Sequence, residues 1–231
     1  KYAFRNDGRM VSGLKFIKEE KTGTTVTGLF VVADDDFSDH LFDDEDRFDE
    51  SALWFESEGY KCYYFGGDDD GAMRTNKTTV EIDGAGLTGE KDDKYYQSGK
   101  LIRAGKDEKY QAVRTIEVEK DGAKVKAGYF KMDDMDEFKA ALEEDKYDVN
   151  SDVSEDNIKA LGINKKADDI QEMFVIRDAA TKKDVGTKMA DYFLVNTSGK
   201  VIDSKSKNKD GNDWQFVVSK GGSILGAYVE D

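Results

Sequence analysis

Flat aromatic side chains are the residues of this sequence with the clearest capacity for binding chemistry. Several stand as adjacent pairs, and the set comprises Trp54, Tyr63, Tyr64, Phe65, Tyr95, Tyr96 and Trp214. Such rings could form a face for a sugar ring or for an organic cation, since a cation is attracted to the π-face of an aromatic ring. The alternative is that they pack the core of short hairpins, because aromatic residues favour strands. Consecutive strand residues point to opposite faces, so Tyr63 and Tyr64 are not expected to line the same site.

A second pattern is a run of oxygen-bearing side chains in the acidic segment 34–50. Asp34, Asp36, Ser38, His40 and Glu45 follow the ligand spacing of an EF-hand loop. The sharp turn of that loop requires Gly at its sixth position, where this chain has Asp39. The segment is therefore interpreted as a solvated loop or a short helix with an apolar side, and no metal site is predicted.

A catalytic constellation is not indicated. Cys62 and His40 are the only residues of their types and could in principle form a nucleophile–base pair. Cys62 lies among aromatic residues of an expected strand, which favours the role of a small buried hydrophobe. No spacing among the 50 acidic residues singles out a carboxylate pair for glycoside hydrolysis. We predict a non-enzyme without catalytic residues, metal or cofactor.

Composition limits the partners. The 231 residues include 35 basic and 50 acidic side chains, a net charge of −15 that disfavours binding to nucleic acid. No apolar run approaches the ~20 residues of a membrane helix, so membrane insertion is not expected. A single Cys excludes an intrachain disulfide framework. With 22 Gly and no Pro, glycine must supply the turns.

The turn signals predict hairpins. Asp-Gly pairs begin at residues 7, 70, 83, 121 and 210, and Ser-Gly pairs begin at 12, 98 and 198. Asp-Gly between alternating apolar residues is a strong hairpin signal, because a type I′ turn needs positive φ at both central residues. The clearest hairpin is expected over residues 115–129, with others over 80–87 and 193–202.

One stretch of the chain predicts helices instead. Between residues 132 and 147, apolar side chains recur at helical spacing, at Met135, Phe138, Ala141 and Leu142. A second short helix is expected to begin after Ser154 as its N-cap, to run to Leu161 and to stop at Gly162. Residues 132–165 are therefore predicted to form a small helical insert in a β-rich chain.

The sequence also echoes itself. Residues 7–13 (DGRMVSG) recur as 70–76 (DGAMRTN), and aromatic residues precede the turn in both copies, at Tyr2 and Phe4 and at 63–65. Weaker copies cover 95–101, 192–201 and 214–224, with a half-copy at 54–59. Repetition on this scale is typical of arrays in which one unit cannot bury its own apolar face.

These echoes resemble the cell-wall-binding repeat family of Gram-positive surface proteins, which includes choline-binding and glucan-binding modules. Residues 63–65 and 70–75 correspond to the family's aromatic strand, Asp-Gly turn and following Ala-Met-x-Thr. The family's choline cages combine Trp and Tyr with a Met, so the resemblance implies ligand-binding roles for Met73 together with Trp54, Tyr63, Tyr64, Tyr95, Tyr96 and Trp214. Because this chain has two Trp, the resemblance implies a bacterial surface protein more firmly than it implies choline.

These observations together predict a mainly β protein, an irregular, solenoid-like array of aromatic β-hairpin repeats. Residues 1–130 are expected to form hairpin repeats, 131–165 the helical insert and 166–231 a second repeat region. The expected function is non-catalytic binding of a cell-wall polymer or glycan, in a secreted or cell-wall-associated protein. Two alternatives stay open: an adhesive module that binds a host or bacterial surface protein, and a fragment of a secreted hydrolase with its catalytic domain elsewhere.

Overall fold

The computed structural model describes residues 1–5, 7–31, 45–67, 69–74, 82, 86–120, 123–132, 134–182, 191–203, 206–209 and 213–231. The protein is mainly β, as predicted, with 44% of residues in strands and 17% in helices. The strands form several small antiparallel sheets, which do not by themselves establish a solenoid. The solenoid-like arrangement of repeats therefore stays a prediction.

The elements are named here in chain order. The strands are β1 Leu14–Thr22, β2 Thr25–Val31, β3 Tyr60–Tyr64, β4 Gly89–Lys91, β5 Lys94–Gln97, β6 Lys100–Leu101, β7 Tyr110–Lys120, β8 Ala123–Met132, β9 Tyr147–Asn150, β10 Ile170–Asp178, β11 Tyr192–Asn196, β12 Ser206–Lys209, β13 Trp214–Val218 and β14 Ile224–Glu230. The α-helices are α1 Glu45–Ser57, α2 Met135–Glu144 and α3 Glu155–Leu161.

The chain packs as two compact units. Unit 1 comprises residues 1–102 and 115–129, and unit 2 comprises residues 103–114 and 130–231. The division falls near the predicted boundary at residue 130, whereas the helical segment 131–165 packs in the same unit as 166–231.

Unit 1 has two three-stranded sheets, with strand orders β2-β1-β3 and β4-β5-β6. Helix α1 buries Phe48, Ala52 and Phe55, spaced by four and three residues on one face. This face packs on β1, where the ring of Phe16 stacks on Phe55 with centroids 4.2 Å apart, and the fully buried Cys62 joins the same core.

Helix α1 corrects part of the sequence interpretation. Residues 54–59 were interpreted as a half-copy of an aromatic strand and turn, yet the helix extends to Ser57. The apolar residues follow a 3.6-residue period once Phe48 is counted with Ala52 and Phe55, and burial of that face outweighs the strand preference of the aromatic residues. The short-helix interpretation is confirmed for residues 45–50. Residues 34–44 of the acidic segment lie outside the described residues.

Unit 2 is built on a five-stranded sheet of order β12-β13-β14-β10-β9, and β11 pairs with β7 through residues 110–114. Helix α2 packs Phe138 edge-to-face against Phe174, Tyr192 and Phe216, at centroid distances of 5.7–6.2 Å. These contacts place α2 at the centre of the unit's main core.

Both helices predicted within 132–165 are confirmed. Helix α2 is capped by Asp134, whose Oδ1 accepts hydrogen bonds from two backbone N–H groups of the first turn. Helix α3 is capped by Ser154 and ends at Gly162, which has φ of +61°. Strand β9 lies between the two helices and forms an edge of the five-stranded sheet, so the segment is not purely helical.

The predicted hairpins are confirmed where the structure describes them. Strands β7 and β8 are neighbours separated in sequence by residues 121–122, which lie outside the described part. Over 193–202, Val195 pairs with Val201, and the N–H of Ile202 donates to the carbonyl of Leu194 at 2.9 Å. The hairpin expected over 80–87 lies largely outside the described residues. In the described ranges, no helix has the length and apolarity needed to cross a bilayer.

Candidate functional site

The two copies of the sequence echo fold alike within unit 1. In the first copy, the N–H of Val11 donates to the carbonyl of Ala3 at 2.9 Å. In the second, the N–H of Arg74 donates to the carbonyl of Tyr64 at 2.8 Å. Each copy is thus an aromatic segment, a turn and a returning segment, and the second copy has the longer turn.

The copies also lie against each other. The N–H of Met73 donates to the carbonyl of Lys1, and the N–H of Phe65 donates to the carbonyl of Gly13, both at 2.9 Å. A Cβ on Gly71, which has φ of +57°, would overlap the thioether of Met10. The two copies of the echo are therefore in direct contact within unit 1.

A cavity of about 380 Å³ opens where the copies meet and is called the Tyr63 cavity. Its lining is Lys1, Tyr2, Ile17, Glu19, Val26, Tyr63, Phe65 and Met73. Ile17 and Phe65 are buried and form the floor, while Tyr2 and Val26 are 58% and 47% exposed and form the rim. The cavity thus offers aromatic rings, a thioether, one carboxylate and the basic residue Lys1 at the surface of unit 1.

The polar groups of this cavity have defined charges. Nζ of Lys21 lies 2.9 Å from Oε2 of Glu19, and the hydroxyl of Tyr63 donates to Oε1 of Glu19 at 3.3 Å. These contacts, Lys21 first, lower the pKa of Glu19, so this carboxyl is ionised at neutral pH. Burial, aided by Glu19, raises the pKa of Tyr63 to about 12, which keeps the phenol protonated. The site therefore presents a hydroxyl and a carboxylate beside apolar faces.

Of the seven predicted ligand-binding residues, Tyr63 and Met73 lie together in this cavity. Tyr64 does not line it, in agreement with the alternation of faces along β3. The sequence interpretation did not assign Glu19 or Val26, whose strands β1 and β2 carry no motif for this site. Tyr2 was recognised only as part of the echo, which was the signal that could have identified it.

The other four predicted residues lie elsewhere. Trp54 is on helix α1, 59% exposed, with its ring edge-on to Phe55 at 4.9 Å. Tyr95 packs edge-to-face with Tyr129 at 5.1 Å, and Tyr96 is buried. Trp214 lines a separate cavity within unit 2. The predicted residues are therefore divided between the two units.

Cys62 is placed as the sequence interpretation favoured. Its side chain is fully buried, and burial together with the nearby Glu56 raises the pKa of the thiol well above its ordinary value. A buried, protonated thiol is inert as a nucleophile. His40, the other member of the hypothetical pair, lies outside the described residues. Among the residues described, no group of three or more His, Cys, Asp or Glu could hold a metal ion.

Glu56 is a partly buried acid in unit 1. The hydroxyls of Thr88 and Ser98 both donate to its Oε1, the latter at 2.9 Å. Burial raises the pKa of Glu56 against the lowering effect of these hydrogen bonds and of Lys61. The arrangement ties α1 to the region of β4–β6.

Comparison with known proteins found no matching family model, no matching curated protein and no matching solved structure. The resemblance to cell-wall-binding repeats therefore stays a prediction.

Proposed function

We propose that this protein is a non-catalytic binding module of the bacterial cell surface that holds a glycan, such as a cell-wall polymer, in the Tyr63 cavity. The observation that carries the proposal is the convergence of the two sequence echoes on one surface cavity, with Tyr2 from the first copy and Tyr63 and Met73 from the second. Secretion or cell-wall attachment belongs to the same proposal.

The chemistry of the cavity suits a sugar ring. The apolar CH face of a sugar packs on aromatic rings, while its hydroxyl groups need hydrogen-bond partners. Phe65 and Tyr63 supply the rings, with centroids 6.0 Å apart. The ionised Glu19 supplies an acceptor, and a charge-assisted hydrogen bond is stronger than a neutral one.

The test is a pull-down with purified cell wall, followed by release with free sugar or with choline. We expect the wild type to sediment with the wall and Tyr63→Ala to lose roughly tenfold or more in affinity. Tyr64→Ala is the matched control, since the neighbouring ring lies outside the cavity; it should bind as the wild type does. The proposal would be contradicted if the wild type bound neither wall nor glycan. It would also be contradicted if both variants lost affinity for the wall equally.

A partner-binding role is the second candidate, and one observation favours it. Phe4 and Met10, which pair across the first turn, are apolar residues with side chains 55% and 36% exposed. Exposed apolar patches often mark protein contacts. This function would be favoured if the wild type does not bind glycan but does adhere to a bacterial or host surface protein. The adhesion should then be lost in Phe4→Ser.

A further inference from the structure

Unit 2 contains a cavity of about 260 Å³ that the Tyr63 cavity does not explain, and it is called the Trp214 cavity. Strands β7 and β13 and helix α2 supply aromatic lining residues, namely Tyr110, Phe138, Trp214 and Phe216. Met132 and Met135 add flexible apolar surface. The size is that of a small ligand or of one unit of a polymer.

The polar lining consists of acceptors held in place by the backbone. Oδ1 of Asp134 accepts from the N–H groups of Asp136 and Glu137 at 2.7 and 3.1 Å, which fixes this carboxylate at the start of α2. Oε2 of Glu108 accepts from the N–H of Gly105 at 3.3 Å. Each carboxylate has a second oxygen with lone pairs that can accept from a ligand hydroxyl.

A buried amide completes the polar side. Gln111 is 4% exposed, and its Nε2 donates to the carbonyl of Met132 at 2.7 Å. This hydrogen bond sets the orientation of the amide and leaves its carbonyl oxygen with acceptor capacity. Glu108, Gln111 and Asp134 therefore surround an aromatic cavity with fixed hydrogen-bonding groups.

Lys139 already places a cation beside the indole of Trp214. Its Nζ lies 5.2 Å from the ring centroid of Trp214 and 5.6 Å from that of Phe174. An organic cation stacked on this indole would meet the like charge of Lys139 at close range. A neutral, polyhydroxylated ring meets no such repulsion.

We propose that the Trp214 cavity is a second binding site that takes one neutral sugar ring, packed against Trp214 and hydrogen-bonded to Glu108 and Asp134. This inference rests on the proposed function for its class of ligand, and it adds a site in unit 2 that differs in lining and charge from the Tyr63 cavity. A glycan chain can thus be held by either unit.

The two Trp of the chain make the site observable. In Trp54→Phe, Trp214 is the only tryptophan, so its fluorescence reports on unit 2. Glucose, N-acetylglucosamine and choline are titrated separately into this variant. We expect a saturable change with at least one sugar, with a dissociation constant on the order of 1 mM as is common for a single small ring, and no saturable change with choline. Saturation by choline, or by none of the three, would overturn the proposal.

Two further variants in the Trp54→Phe background assign the signal to the cavity. Glu108→Ala should weaken the sugar response roughly tenfold, because a hydrogen bond to a charged group is lost. Glu172→Ala, an exposed carboxylate of β10, is the matched control and should leave the response unchanged. Equal responses in both variants would refute the assigned site.

Adding Tyr63→Ala separates the two proposals. A sugar response of Trp214 that persists in this variant supports the second site even when the wall pull-down fails. Wall binding that depends on Tyr63, with no sugar response of Trp214, supports the proposed function and rejects the second site.

Discussion

The hydroxyl of Ser98 donates a hydrogen bond of 2.9 Å to Oε1 of Glu56, and so joins the turn between β5 and β6 to helix α1. The backbone N–H of Ser98 in turn donates to Oγ1 of Thr88 at 2.8 Å. Because burial raises the pKa of Glu56, the folded state holds the proton of this carboxyl more tightly than the unfolded chain does. The stability that this proton contributes is complete below the ordinary pKa of 4.5 and is lost as pH rises through the raised value.

Replacement of Glu56 by Gln should remove this dependence. The amide oxygen of Gln still accepts from Ser98, and no charge develops in the buried site. We expect the free energy of unfolding of Glu56→Gln, relative to the wild type, to increase between pH 4 and pH 8 in urea titrations. Glu58→Gln, at an exposed position, controls for the loss of one negative charge. A difference in the free energy of unfolding between Glu56→Gln and the wild type that does not change with pH would contradict the assignment.

The ion pair between Lys100 and Asp49 makes a second connection from α1, in this case to strand β6, which follows the same turn. Nζ of Lys100 lies 2.8 and 2.9 Å from the two carboxylate oxygens, and the side chains are 7% and 15% exposed. Lys100→Met removes the cation that neutralises this carboxylate, at a cost of about 3 kcal/mol. Asp49→Leu combined with Lys100→Met should recover most of that loss. Equal stability of the single and double variants in urea would show that the pair is not coupled.

Gly226 is on strand β14, at a point where its backbone lies close to that of the neighbouring strand β10. Its φ is +152°, and a Cβ would overlap the carbonyl oxygen of Phe174. Gly226→Ala should therefore destabilise unit 2 by about 3 kcal/mol, from backbone strain and steric overlap together. At Gly67, by contrast, a Cβ would meet nothing within 4 Å. Gly67→Ala should change the free energy of unfolding by no more than about 0.5 kcal/mol, and a similar effect of both substitutions would disprove the packing argument.

Cys62 should resist thiol reagents in the folded protein. Its side chain is fully buried, so a reagent cannot reach the sulfur. Its pKa is raised, so the thiol is not in the reactive thiolate form. We expect no labelling at pH 8 in buffer and rapid labelling in concentrated urea. The extent of labelling is measured by mass spectrometry. Glu58→Cys in a Cys62→Ala background places the thiol at an exposed position and should label in buffer. Rapid labelling of native Cys62 would mean that this core opens readily.

Local signals predicted the local structure well. Ser154 and Gly162 were identified as the two ends of α3 because capping depends on a side chain and a backbone conformation at the helix itself. The turn at Ser98-Gly99 was predictable for the same reason. Both residues have positive φ, and this conformation depends on the types of these two residues themselves. Helix α1 was missed beyond residue 50 because Trp54 and Phe55 favour strands in isolation.

The sequence by itself determined the mainly β character, a helix within 132–147, a second helix from Ser154 to Leu161, and the echo between residues 7–13 and 70–76. Only the tertiary structure decided that Tyr2, Tyr63 and Met73 share a cavity with Glu19, and that Trp214 lies in another one under the ammonium of Lys139. The physical reason is range: turns and caps are set by neighbours in the chain, whereas a binding cavity is set by side chains from separate strands whose burial and charge exist only after packing.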